Sequence, residues 1–263
     1  MKHLILTAVI MGSLLMSSCK KDPADAPTIP PESSLNVDFS NFEDDSNDNE
    51  RTGNAGSYWA RSIVNVFFWN FALTVNLAVP VASFKEAINH TPKYVSKKKG
   101  WLWQYTVNLA TGTYTAKLYG KKEAGEVHWK MLISKNGSYE DVEWYNGISK
   151  DDNTSGTWTL NKNALSQTAY MQVAWNVDGD KKTIKYTYIE SGTEAEGSYI
   201  QYGIDPSLSY DRHYNIFGSK ENHTINIEWN KSSKIGRIKD KPYYSDANWR
   251  CWGSDLANTT CPN

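Results

Sequence analysis

Cysteine is scarce in this chain, and neither sign of charge is in excess. Three cysteines occur among 263 residues, and they form no Cys-x-x-Cys pair or Cys/His cluster of the kind that holds structural zinc. The formal net charge is −1, so the chain lacks the basic excess typical of nucleic-acid-binding proteins. We therefore expect no metal site, no cofactor and no nucleic-acid partner.

Catalytic motifs are also lacking. The sequence contains no Gly-x-Ser-x-Gly, no phosphate-binding glycine loop and no His-Glu-x-x-His. Asp211 and His213 combine an acid and a base, but at a spacing of two they simply share one face of a strand. The acidic stretch 140–143 holds carboxylates of the type that glycosidases pair, although solvated strand residues are the simpler interpretation. The sequence predicts a non-enzymatic protein, with a glycoside hydrolase as the less favoured alternative.

An apolar run follows the charged start of the chain. Residues 4–16 are too few to span a bilayer as a mature helix, which is typical of a removable signal peptide over 1–18. The run ends in Leu15-Met16-Ser17-Ser18-Cys19, followed by Lys-Lys-Asp. Small residues before a lone early cysteine resemble a bacterial lipobox, and the whole start resembles envelope lipoproteins of the Bacteroidota type.

That resemblance implies that Cys19 becomes the first, lipid-bearing residue of the mature protein. Several acyl chains, palmitate among them, would hold it firmly in the outer membrane, so the membrane is an expected partner. In that group an acidic, lysine-containing tether start is associated with export to the cell surface. Here only Asp22 and Asp25 supply acid, so the surface and periplasmic faces both stay open.

The segment after the lipobox predicts a disordered tether over 19–57. It is rich in proline, aspartate, asparagine and serine, and such a composition buries too little apolar surface to fold alone. Residues 58–263 are expected to form a single β-rich domain with a helical segment over 58–90. Without Cys19, two cysteines remain in an oxidising compartment, which predicts a Cys251–Cys261 disulfide. Free thiols or a metal pair are the alternatives.

A second uncharged run covers Ile63–Phe84. A helix that is apolar on every side is enclosed by protein or by lipid. The run holds three asparagines, which favour a protein interior that supplies hydrogen bonds: Asn65, Asn70 and Asn76. Pro80 splits the run and predicts a second short helix over 82–89. We expect buried helices within the domain, and a lipid-exposed or re-entrant segment is the alternative.

Beyond Trp101 the apolar pattern has a period of two. Residues 103–109, 127–133, 171–177 and 225–229 alternate apolar and polar side chains between turn signals, which predicts ten or eleven half-buried strands. A meander of this length curls. The expected fold is mainly β, a long antiparallel meander curled into a half-barrel or open barrel with N-terminal helices buried on its concave face. This order of elements resembles, in outline, bacterial lipoprotein-carrier and mycobacterial lipid-binding lipoprotein folds.

Aromatic residues are the strongest functional indication, since 11 tryptophans and 16 tyrosines are present. The stepped spacing of Trp129, Trp144, Trp158 and Trp175 favours a shared core layer over a binding stripe. Candidate ligand-stacking aromatics flank the last cysteines: Tyr243, Tyr244, Trp249 and Trp252. We expect a protein that binds a ligand or partner. A row of outward tryptophans would favour a glycan-binding surface module, and a deep apolar cavity would favour a hydrophobic ligand.

Replacement of Cys19 by alanine tests the anchor. The Cys19→Ala protein should stay unprocessed at this site or be released in soluble form, because the acceptor of the lipid is missing. Metabolic labelling with a fatty-acid analogue measures this. Equal labelling of the variant and the wild type would contradict the lipobox.

Overall fold

Fourteen antiparallel strands form one sheet in chain order in the computed structural model, which describes residues 25–37, Phe39 and 57–262. The strands are β1 (Lys93–Val95), β2 (Gly100–Leu109), β3 (Gly112–Glu123), β4 (Glu126–Lys135), β5 (Tyr139–Lys150), β6 (Ser155–Asn161), β7 (Ala169–Asp178), β8 (Lys181–Tyr188), β9 (Tyr199–Ile204), β10 (Arg212–Gly218), β11 (His223–Trp229), β12 (Gly236–Asp240), β13 (Arg250–Trp252) and β14 (Asn258–Thr259). The sheet is open, since β1 and β14 do not pair within the described chain. The predicted mainly β meander is confirmed, with more strands than the ten or eleven expected. Cys19 and the predicted signal peptide lie outside the described residues.

Helices cover one face of this sheet. The long helix α1 spans Tyr58–Ala87, the short helix α2 spans Lys241–Tyr244, and single 3-10 turns occupy Glu32–Ser34 and Ser96–Lys98. The start of α1 lies against β12 and β13, and its end lies against β2 and β3. One helix therefore bridges strands from both halves of the sheet, on its concave side.

The buried face of the sheet follows the period of two. On β4, for example, Val127, Trp129, Met131 and Ile133 are buried, while the residues between them turn to the opposite face. Trp129, Trp158 and Trp175 lie on this face, which confirms the shared layer for these three. Trp144 does not join them, because the β4–β5 register shifts between Met131 and Leu132 and leaves it outside the ladder.

Glycines on neighbouring strands make room for the indole rings. A Cβ on Gly147 would lie 2.3 Å from the ring of Trp158, and one on Gly120 would lie 2.7 Å from Trp129. Real side chains do not approach this closely, so each glycine leaves the gap that its tryptophan fills. Each of these tryptophans therefore depends on a glycine at the paired position of the neighbouring strand.

Helix α1 is one bent helix and not two. Ser57 caps its start, accepting a hydrogen bond from the Ala60 amide at 3.0 Å. The axis turns by 70° between Tyr58–Thr74 and Leu77–Ala87. Pro80 explains the bend, since its ring crowds the carbonyl four residues earlier and removes one backbone donor. The predicted second helix over 82–89 is thus the distal part of α1, which ends at Ala87.

An ion pair fixes the start of α1 to the sheet. The Arg61 guanidinium contacts Oδ2 of Asp240 at 2.7 and 2.8 Å, and Asp240 is fully buried at the end of β12. Asp240 also caps α2. Such a pair holds its elements in register, because removal of one partner leaves a buried charge without compensation.

The expectation that α1 is enclosed on every side is wrong. Trp59, Leu73 and Phe84 are buried in the core. The opposite side of the helix is exposed at four large apolar residues: Val64, Phe67, Phe68 and Phe71. Within the described chain, no single helix is both long and apolar enough to cross a membrane; only the two bent halves of α1 taken together pass that test.

Part of the predicted tether is ordered against the domain. Leu35 is fully buried, and its carbonyl accepts a hydrogen bond from the Tyr186 hydroxyl at 3.0 Å. Phe39 stacks on Tyr214 with a ring separation of 6.0 Å. The tether prediction is therefore wrong for 25–37 and Phe39, because a few apolar side chains of this mostly polar stretch pack into the core of the domain.

The predicted disulfide between Cys251 and Cys261 is present, with a Cα–Cα distance of 5.1 Å. Cys251 lies on β13, and Cys261 follows β14. The bond closes the loop that contains the last strand of the sheet. Because β14 has only two residues, this covalent link compensates for its few ladder hydrogen bonds.

Truncation of Phe84 should destabilise the fold. Phe84 is buried, with its ring 5.4 Å from that of Trp158, so Phe84→Ala should lower the free energy of unfolding by about 3–5 kcal/mol. The exposed Phe71 is the matched control, and Phe71→Ala should change it by less than about 0.5 kcal/mol. Urea denaturation measures both. Equal losses for the two variants would contradict this arrangement of α1.

Thiol titration tests the disulfide. In the unfolded, unreduced protein neither Cys251 nor Cys261 should react, because their sulfurs are bonded to each other. Reduction should then lower the free energy of unfolding by roughly 2–3 kcal/mol, since the closed loop is short. Two reactive thiols before reduction would show that the bond is not formed in the protein.

Candidate functional site

An apolar cavity of about 730 Å³ lies between the first half of α1 and the ends of strands β7–β11. Its size falls within the range of small-molecule sites, roughly 300–1,000 Å³. The walls come from one side of the helix and from the concave face of the sheet near the β8–β9 and β10–β11 connections. The 70° bend of α1 begins just beyond this part of the helix.

The floor and the lip of the cavity are both apolar. Met171, Ile216 and Ile225 form the floor from three different strands, and all are buried. Val64 and Phe68 form the helical lip, and both also belong to the exposed side of α1. The apolar wall of the cavity is therefore continuous with an apolar outer surface.

A β-bulge brings a tyrosine to the cavity wall. Leu160 pairs with Met171 but Asn161 pairs with Ala169, so Tyr170 is left over and is buried together with Met171. The Tyr170 hydroxyl is buried and has no hydrogen-bond partner in the described chain. Burial raises the pKa of Tyr170 to about 12, so this side chain is neutral at physiological pH.

Other polar groups lie at the rim. Tyr188 packs edge-on against Tyr170 at 6.2 Å, and its hydrogen bond to Glu190 raises the pKa of Tyr188 to about 12. Lys220 and Glu194 form an exposed ion pair of 2.7 Å. Nδ1 of His223 is buried without a partner among the residues described. The site thus combines an apolar interior with a few polar groups where the strands end.

The predicted stacking aromatics do not form a free patch. Trp252 is 0% exposed, and its indole donates to the Lys234 carbonyl at 2.8 Å, so the prediction that it binds a ligand is wrong. Tyr243 is exposed, but the Arg61 guanidinium lies 4.2 Å from its ring centre. Similarly, Arg237 lies over Trp249 at 4.2 Å and Arg250 over Tyr244 at 5.3 Å. These rings already stack on cations of the protein itself.

The acid–base cluster and the acidic stretch are occupied by structural contacts. Asp211 pairs with Arg212 at 3.0 Å and accepts the Lys231 amide at 2.9 Å. Burial lowers the pKa of His213, whose ring occupies the space over Gly203. Asp141 pairs with Lys117 at 2.7 Å. No group of three or more potential metal ligands comes together in the part of the chain that the structure describes.

The sequence carried one indirect signal for the cavity. The uncharged run that includes Val64 and Phe68 indicated apolar contacts beyond those of an ordinary core helix. The contribution of Tyr170 had no such signal, because the bulge that places it becomes visible only in the strand register. The functional site therefore depends on geometry that residue patterns alone do not contain.

Comparison of the chain with known proteins leaves the cavity as the main functional observation. Searches against protein families, curated proteins and solved structures found no match. What the protein does must therefore be inferred from its own residues. Among the described residues, the apolar cavity beside α1 is the feature best suited to hold a ligand.

Proposed function

We propose that this protein is an envelope lipoprotein, anchored in the outer membrane through Cys19, that binds a hydrophobic ligand without catalysing a reaction. The cavity of about 730 Å³ beside α1 carries the proposal. Transfer of apolar ligand surface from water into such a space is favourable by roughly 25 cal/mol per Å². The lipobox residues before Cys19 support the anchor.

The positions of the tryptophans favour a hydrophobic ligand over a glycan. Trp103, Trp129, Trp158, Trp175, Trp229 and Trp252 are all buried. The partly exposed tryptophans lie on separate elements: Trp69 on α1, Trp101 on β2, Trp144 on β5 and Trp249 before β13. A glycan-binding surface needs aromatic faces arranged side by side, whereas the interior of the cavity already presents apolar side chains from five elements, α1, β7, β8, β10 and β11.

A cavity-filling variant tests the site. Ala72 lines the cavity from α1, so the indole of Ala72→Trp should occupy its interior. We expect the wild type to enhance the fluorescence of N-phenyl-1-naphthylamine, a neutral apolar probe. Ala72→Trp should weaken its binding at least about tenfold, since an occupied cavity excludes the ligand.

Ala78→Trp is the matched control. Ala78 lies on the same helix but lines a separate recess of about 600 Å³ between α1 and the 25–39 segment. This variant should bind the probe like the wild type. A wild-type protein that leaves the probe unaffected, or equal binding by Ala72→Trp and the wild type, would overturn the cavity as the ligand site.

A further inference from the structure

One side of α1 exposes a stripe of large apolar side chains. Val64 is 60% exposed, Phe67 59%, Phe68 68% and Phe71 63%. Their spacing of three, four and seven residues places them on the same side of the helix. Contiguous exposed apolar surface of this kind marks an interaction site in soluble domains. We call these four residues the phenylalanine stripe.

The neighbouring chain supplies little that would cover the stripe. Residues 40–56, which connect Phe39 to the start of α1, hold five carboxylates and one large apolar residue, Phe42. Charged side chains are costly to place against phenylalanine rings without partners. The stripe itself lies in a run without charged residues, from Ser62 to Phe84. Its occupant must therefore be apolar and uncharged.

The 25–37 segment and α1 lie on the same face of the sheet. Trp158 contacts both parts: its indole donates to Ser34 at 3.3 Å, and its ring packs against Phe84 at 5.4 Å. A Lys85–Glu32 ion pair of 2.6 Å joins the helix to the 25–37 segment directly. The chain therefore reaches the domain on its helical side, and not on the convex side of the sheet.

The link between anchor and domain is short. Only five residues lie between Cys19 and Asp25, the first described residue, and the stretch from Cys19 to Asp25 spans at most about 20 Å when fully extended. If Cys19 carries the lipid, as proposed above, the helical face of the domain stays close to the membrane. The packing of residues 25–37 thus removes most of the reach that a tether over 19–57 would have had.

We propose that the phenylalanine stripe docks onto the lipid leaflet that holds the anchor. The helix would lie in the plane of the interface, with the rings of Phe67, Phe68 and Phe71 among the acyl chains and the sheet in water. Docking would also bring the cavity lip, Val64 and Phe68, to the membrane. The driving force is apolar burial, because the stripe carries no charge of its own.

Flotation with vesicles tests the docking without the anchor. Residues 20–263, made without the lipid, should bind phosphatidylcholine vesicles and phosphatidylethanolamine–phosphatidylglycerol vesicles to a similar extent, and salt should change this little. The triple variant Phe67→Ser, Phe68→Ser, Phe71→Ser should bind the vesicles at least about tenfold more weakly, since three rings no longer enter the leaflet. Because the lipid is absent, failure here is distinct from failure of the lipidation test on Cys19.

Matched variants test whether vesicle binding depends on the phenylalanine stripe or on any exposed apolar side chain. Leu165 and Leu208 are also exposed, but they lie in the β6–β7 and β9–β10 loops and not on α1, and Leu165→Ser with Leu208→Ser should leave vesicle binding unchanged. An environment-sensitive dye on Phe71→Cys should shift to the blue with vesicles, and the same dye on Leu208→Cys should not. Absence of vesicle binding by the wild type, equal binding by the triple variant, or a stripe-dependent dimer in place of membrane binding would overturn the proposal.

Discussion

Burial of Trp158 is the contact on which the other parts of the fold depend. Its ring fills the gap over Gly147 on the neighbouring strand, packs against Phe84 of α1 and donates a hydrogen bond to Ser34. Sheet, helix and N-terminal segment therefore meet at one side chain that is 1% exposed. A curled sheet needs a cover for its apolar concave face, and this contact determines where the cover lies.

Helix α1 covers the concave face of the sheet only in part, and the candidate site lies where the helix and the sheet stay apart. Helix α1 reaches across the sheet from the buried Arg61–Asp240 pair to the packing of Phe84. Near its first half, the strand ends of β7–β11 stay separated from the helix by the cavity. The same helix thus stabilises the core along one side and leaves apolar side chains free along the other. The packing of the core and the wall of the candidate site therefore both depend on the position of this one helix.

Strands could be predicted because their physical signal is local. Alternation along residues 127–133 reports directly which side chains face the core, and it held in the structure. The exposure of Phe67 and Phe68 could not be predicted in this way. A helix that is apolar all round contains no information about which side the rest of the protein covers, so only the packing decides it.

Long-range contacts explain the remaining differences. Leu35 lies in a stretch whose average composition is that of a solvated linker, yet it is fully buried because Tyr186, distant in sequence, offers its hydroxyl to the Leu35 carbonyl. Trp144 and Tyr170 were displaced from the simple alternation by register shifts in their strands. Such shifts are determined between strands, and a single strand sequence does not specify them.

The two ends of the sheet have a consequence for the behaviour of the protein at high concentration. An open sheet presents unpaired amides and carbonyls along its first and last strands, and these groups readily recruit strands from other molecules. Here the first strand has three residues and the last has two, so each edge offers a template too short for such recruitment. The Cys251–Cys261 bond holds the final strand in place. A fourteen-stranded sheet can thus remain open without growing from molecule to molecule.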